Sequence, residues 1–243
     1  WLDMLLLVLD ADRLPLAQRL VDGLFPTGDG YAARVTLGRR AQLGDEMVYR
    51  STVGRSPVDG ALTYGEYDLG HFCALVERAC ADRPGGLEGA TLLDCGSGCG
   101  RLVIAASALW PEMARVTGIE KVEPLHAMGV AAATQLPAEQ QARLSLLCGD
   151  SHDMVDTMRQ ADIVFAYSSA FASQGDLLTD FSYSCGTRLR EGTRVVTTDK
   201  RLASDANTPW QFELLDALEG PNRETGGSSV GYVQRVVRSA DAG

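Results

Sequence analysis

From Ala90 to Thr198 the sequence alternates five short apolar runs with four stretches of helical spacing, and few folds accept that alternation. The runs are Ala90–Cys95, Arg115–Glu120, Leu144–Cys148, Ala161–Tyr167 and Thr193–Thr198. Each is bounded by polar or turn residues and too short for a core helix, so each reads as a buried strand. Helical patterns follow at Arg101–Leu109, Glu123–Leu136, Asp153–Arg159 and Asp176–Leu189. A helix over residues 66–82 precedes them, with Leu69, Phe72, Cys73, Val76, Ala79 and Cys80 on one face. Strand–helix alternation of this kind predicts a mostly parallel sheet with helices on both faces. Gln211–Leu218 and Ser229–Arg238 read as a closing antiparallel pair, which brings the sheet to seven strands with an antiparallel last strand.

The first 63 residues differ in pattern and read as a small helical and loop extension, with 64–243 as the main α/β domain. Apolar positions over residues 1–25 have helical spacing, and Pro15 predicts two short helices there rather than one. Residues 26–63 carry many glycines and prolines and read as loops with room for one hairpin.

The chemistry concentrates after the first strand, in Leu92-Leu93-Asp94-Cys95-Gly96-Ser97-Gly98-Cys99-Gly100-Arg101. A glycine cluster between a strand and a helix is the context of a nucleotide-binding turn, where free amides at the helix start favour electron-rich groups. The spacing is GxGxG rather than the GxGxxG of dinucleotide sites, and Asp94 stands two residues before the first glycine. A carboxylate there repels a pyrophosphate and suits a cationic ligand. Glu120 ends the second strand, where an acid accepts hydrogen bonds from ribose hydroxyls. Asp150 follows the third strand, placed for an adenine amino group. Three acids at three successive strand ends point to the sulfonium nucleoside S-adenosyl-L-methionine, and so to a methyltransferase.

Composition narrows the partners. Lysine and arginine number 22 against 32 aspartates and glutamates, a formal net charge of -10 with no basic block, which disfavours nucleic acid and anionic membrane. The six cysteines form no CxxC pair, so no metal site is expected, and all six read as reduced in an intracellular protein. The apolar start, Trp1–Leu9, is far shorter than the ~20 residues of a membrane span. A chain opening on Trp1 reads as a piece of a longer protein.

Asp94-x-Gly96-x-Gly98-x-Gly100 is similar to the general motif of class I methyltransferases, which implies their Rossmann-like sheet. The longer stretch Leu93–Val103, the later Gly118-Ile119-Glu120-Lys121 and the upstream Tyr64-Gly65-Glu66 resemble the Dot-one (disruptor of telomeric silencing) histone-lysine methyltransferases. The resemblance covers roughly Tyr64–Arg238. It implies that Tyr64, Gly65, Glu66 and Tyr67 fold over the cofactor, and that Asp94, Gly96, Ser97, Gly98, Gly100, Arg101, Glu120, Asp150 and Ser151 line it. It places Phe171, and Tyr232 of Val230-Gly231-Tyr232, at the methyl-transfer channel. Where the family has asparagines after the fourth strand, this chain reads Tyr167-Ser168-Ser169. Tyr167, Phe171 and Tyr232 are the candidate aromatic walls of the acceptor channel.

Two acceptors follow as expectations. One is a protein lysine, histone included, in a nuclear protein. The alternative is a small molecule or a non-histone protein, in a cytoplasmic one. A silent methyltransferase-like module and a dinucleotide oxidoreductase are further readings, which the intact acids and the glycine spacing disfavour.

Overall fold

The computed structural model describes residues 2–39 and 64–238, with side chains from Arg13 onward. Among the described residues, seven strands form one sheet in the order β3-β2-β1-β4-β5-β7-β6. They are β1 (Thr91–Cys95), β2 (Arg115–Glu120), β3 (Leu144–Cys148), β4 (Ile163–Ala166), β5 (Arg194–Thr198), β6 (Trp210–Pro221) and β7 (Ser228–Arg238). The first five pair in parallel, and β7 runs antiparallel between β5 and β6. β4 and β5 are buried at every residue, as strands covered on both faces must be.

Strand order reverses between β1 and β4, the crevice where sheets of this type bind ligands. In the register, Asp94 lies opposite Gly118 and Glu120 opposite Cys148. The carboxyl ends of β1, β2 and β3 therefore stand side by side and bring the three acids to one edge.

Helices cover the two faces. On one side, α3 (Leu69–Cys80), α4 (Arg101–Leu109) and α5 (Glu123–Ala133) bury Phe72, Ile104 and Leu125 in a core that includes Phe165. Phe72 meets the Phe165 ring edge-on at 4.9 Å, a favoured aromatic geometry. On the other side, α7 (Val155–Gln160) and α8 (Thr179–Arg188) pack Met158, Phe181 and Cys185 beneath Leu93, Ile119 and Val164.

Several boundaries differ from the sequence expectation. Residues 2–24 form one helix, α1 (Leu2–Leu24), with Pro15 inside it. Proline removes one backbone bond and costs about 3 kcal/mol in a helix interior. Burial of Ala17 and Val21 where α1 packs on α4 offsets that loss. Residues 29–39 are helical (α2) rather than loop. The inward face of α2 carries Tyr31, Arg34, Val35 and Gly38, so its periodicity is not an aliphatic one. The rest of the expected loop and hairpin, 40–63, lies outside the described residues. The helix expected over Glu123–Leu136 stops at Ala133, and α6 (Ala138–Arg143) starts after Pro137, which is restricted to extended entry.

Candidate functional site

A cavity of about 320 Å³ opens at the carboxyl ends of β1, β2 and β4. Tyr64, Gly65, Glu66, Tyr67, Asp94, Gly96, Ser97, Gly98, Arg101, Glu120, Asp150, Ser151, Tyr167 and Phe171 all line it. Two of the expected residues do not. Gly100 is the N-cap of α4, and a side chain there would meet Leu146. Tyr232 sits in mid-strand on β7, opposite Thr197 and Ala217, away from the cavity.

The glycine turn is fixed from within. The amides of Gly96 and Ser97 both donate to the Ile119 carbonyl at 2.9 Å, and the Gly100 amide donates to the Ser97 carbonyl at 2.9 Å. The Gly98 amide donates to Glu120 Oε2 at 2.7 Å. The free amides expected for an electron-rich ligand are therefore engaged, and the turn offers a phosphate little at these four positions. At Gly98, φ is +57°, and a Cβ would lie 2.7 Å from the Tyr64 ring, so only glycine fits between the turn and its cover.

Asp94 is the first of the three strand-end acids. It is 3% exposed, lines the cavity and accepts no hydrogen bond among the described residues. Burial, and then the neighbouring Glu120 charge, push its carboxyl up to about 8. Glu120 is 6% exposed, and burial raises its pKa despite amide donors from Val122 and Gly98, both at 2.7 Å. Each of its oxygens keeps a further lone pair for a ligand. Asp150 is different. Burial raises its carboxyl, but the Lys121 ammonium at 2.8 Å and the His152 amide at 2.9 Å outweigh it and hold the pKa below the ordinary value.

Aromatic side chains wall the end of the cavity near β4. The Tyr67 ring lies 4.9 Å from Tyr167 and 5.6 Å from Phe165. Tyr67 donates its hydroxyl to His71 Nδ1 at 2.8 Å. The other ring nitrogen, Nε2, is 3.1 Å from the Leu218 carbonyl, which can only accept, so the proton of neutral His71 sits on Nε2. Phe171 packs edge-on against Phe181 at 5.5 Å and approaches Gly96. Burial and the Glu224 charge raise the Tyr167 phenol well above its usual pKa, so it stays a neutral donor.

Sequence reasoning missed four residues that hold this wall and the cover: Arg34, Asp199, Glu224 and His71 in its supporting role. Asp199 carried one local signal, since it follows the fifth strand. It adopts φ +60° and accepts from Ser169 Oγ (2.5 Å), Ser229 Oγ (2.8 Å) and the Val230 amide (3.0 Å). Ser169 is thereby tied to β7, while Ser168 bonds Thr198 of β5 through its amide and its hydroxyl, both at 2.9 Å. Glu224 gave no signal, because its partners lie far away in sequence.

All six cysteines are free thiols, and no cluster able to hold a metal ion occurs among the described residues. No described helix is long and apolar enough to cross a membrane.

No protein-family model matches the sequence, and no curated protein matches it. Solved structures do. The rRNA methyltransferase AviRa from Streptomyces viridochromogenes is similar with a TM-score of 0.51 and 14% identity, over 71% of this chain and 86% of that one. The tRNA methyltransferase TrmK from B. subtilis is 14% identical over 66% of this chain and 64% of that one, with a TM-score of 0.47. The mitomycin 7-O-methyltransferase MmcR is 16% identical over 67% and 54%, with a TM-score of 0.43. The chain thus spans less than two thirds of the length of TrmK and of MmcR. The AviRa likeness and the 3-2-1-4-5-7-6 sheet with its antiparallel β7 show the class I methyltransferase fold.

Proposed function

We propose that the cavity binds S-adenosyl-L-methionine and that the protein transfers a methyl group from it to a small molecule or a non-histone protein. One observation carries the donor assignment: Asp94 lines the cavity and accepts no hydrogen bond among the described residues, beside a second largely buried carboxylate. A ligand bringing an ammonium and hydroxyl donors relieves both acids, whereas a pyrophosphate brings negative charge beside two acids whose ionisation burial already opposes. Asp94 would hold the donor's amino group, Glu120 its ribose hydroxyls, and Asp150 and Ser151 its adenine end. Tyr64–Tyr67 would cover it. The bound donor supplies a methyl carbon already activated by its sulfonium.

The chain's own contribution is orientation and exclusion of water, which can be worth several kcal/mol. Tyr67, Tyr167 and Phe171 make an aromatic-walled approach at the end of the cavity beside β4. Tyr167 keeps its proton, which it donates to Glu224, and its hydroxyl oxygen can still accept from a bound substrate. The net charge of -10, with Glu66 and Asp180 on the cavity wall, disfavours the RNA on which AviRa and TrmK act.

The aromatic wall also supports a protein lysine, the acceptor that the Dot-one resemblance implies. A lysine must lose its proton to react, and desolvation lowers its pKa from about 10.4. Against nucleosomal histone stand the lack of a basic block in these 243 residues and the engagement of Ser168 and Ser169 with Thr198 and Asp199, in place of the family's asparagines.

Calorimetry tests the donor. S-adenosylmethionine should bind and NAD should not, with Asp94→Ala and Glu120→Ala each weakening binding more than about tenfold, or 1.4 kcal/mol. Unchanged affinity in both variants overturns the assignment. Transfer of tritiated methyl to metabolite extract, protein extract and nucleosomes then separates the acceptors; label on nucleosomes alone would reverse the preferred one.

A further inference from the structure

Residues 64–67 form one wall of the cavity and belong to no helix or strand. Something outside the segment must hold it in place. From one side comes Arg34 of α2, whose side chain is 1% exposed. Its Nε donates to Tyr64 Oη at 3.1 Å and to Glu66 Oε1 at 2.9 Å, and its Nη2 donates to Glu66 Oε1 at 2.5 Å. Both terminal nitrogens also reach the Pro26 carbonyl, at 3.2 Å.

From the other side comes Glu224, in the turn between β6 and β7. Its Oε1 accepts from the Glu66 amide at 2.8 Å, and its Oε2 accepts from the Tyr167 hydroxyl at 3.3 Å. The approach is close enough that a Cβ on Gly65 would sit 2.4 Å from Glu224 Oε1. The two sides are joined, because Tyr31, one turn before Arg34 on α2, donates to Glu224 Oε1 at 3.0 Å. Neither Arg34 nor Glu224 lines the cavity. Their influence runs through Tyr64, whose ring rests on Gly98, and through the Gly98 amide to Glu120.

Resting on the methyl-donor reading, we propose that Arg34 and Glu224 are positioning residues, a two-sided clamp that fixes the 64–67 segment over the bound donor and ties it to Tyr167. The charge-assisted bonds explain why an unstructured segment can form a defined wall. The Tyr167 bond makes one carboxylate serve both the cover and the aromatic end of the cavity.

Glu224 is the side to test, because it is exposed and its loss leaves no buried charge, whereas loss of Arg34 leaves the largely buried Glu66 with only the more distant Arg101, at 3.9 Å, as a cation. The probe is S-adenosylhomocysteine, followed by calorimetry, by stopped-flow dissociation and by hydrogen exchange at the Glu66 amide. Glu224→Ala should weaken binding about five- to tenfold through faster dissociation, with the melting temperature of the free protein nearly unchanged. Glu224→Gln keeps the oxygen that accepts from Glu66 and should stay within about twofold of the parent. Gly65→Ala drives a methyl into Glu224 and should weaken binding too, with no further loss when combined with Glu224→Ala. Parent-like binding and exchange in Glu224→Ala, or equal losses in Glu224→Gln and Glu224→Ala, overturn the clamp while leaving the donor site standing. A parent protein that does not bind S-adenosylhomocysteine overturns both.

Discussion

Binding of S-adenosylhomocysteine should release most of a proton from Asp94, and the amount can be worked out in advance. With its carboxyl pushed up to about 8 by burial and by Glu120, Asp94 is about nine-tenths protonated at pH 7. An ammonium beside it favours the ionised form and expels that proton. The ligand's α-amino group stands beside its own carboxylate, is already charged at pH 7 and takes up almost no proton. The net release at pH 7 is therefore about 0.9 proton per ligand. Affinity should rise nearly tenfold per pH unit below pH 7, level off above about pH 8 and fall only where the ligand loses its own charge. Calorimetry in buffers of different ionisation enthalpy reads the proton count directly. Asp94→Asn should abolish the release and flatten the rise.

The same shift has a stability consequence with a definite sign. The folded state holds the Asp94 proton up to about pH 8, and the unfolded chain releases it near pH 4. Stability of the ligand-free protein is then lost progressively as pH rises from 4 to 8, by a total on the order of 5 kcal/mol, and levels off above. Asp94→Asn should thus be more stable than the parent, by more at pH 8 than at pH 5, while binding ligand poorly. Tight binding without proton release, or an Asp94→Asn protein less stable at pH 8, refutes the reasoning.

Two further outcomes follow from packing. Gly98→Ala should weaken donor binding at least about tenfold, since the new methyl must push the Tyr64 ring aside, while the left-handed φ alone costs about 1 kcal/mol of stability; calorimetry and thermal melts separate the two effects. Phe165→Ala should destabilise the fold by about 3–5 kcal/mol in urea unfolding, because its ring is fully buried among Phe72, Tyr67 and the α3 face.

Local pattern carried the sheet. The five parallel strands, the antiparallel pair and the edge where Asp94, Glu120 and Asp150 meet follow from short apolar runs, the first three with an acid at or just past the end. Strand ends in such a sheet are neighbours by topology, so residues far apart in sequence could be placed together. What was not legible depends on long-range contact. α2 buries an arginine and a glycine, so its inward face does not look apolar in sequence. Pro15 argued for a break that packing on α4 overrides. Glu224 lies in an ordinary polar turn, and its partners Tyr31, Glu66 and Tyr167 stand 193, 158 and 57 residues away. Tyr232 was placed at the channel by motif alone; the β7 register sets it against Thr197 and Ala217 instead. The unmet hydrogen bonding of Asp94 could be suspected from its position but needed the structure to be seen.

A crystal structure of the protein grown with S-adenosylhomocysteine examines that need most directly. The account predicts the ligand's amino nitrogen within hydrogen-bond distance of Asp94 and its ribose oxygens on Glu120. Electron density for the ligand elsewhere, or a cavity still holding Asp94 without a donor at saturating ligand, would contradict it.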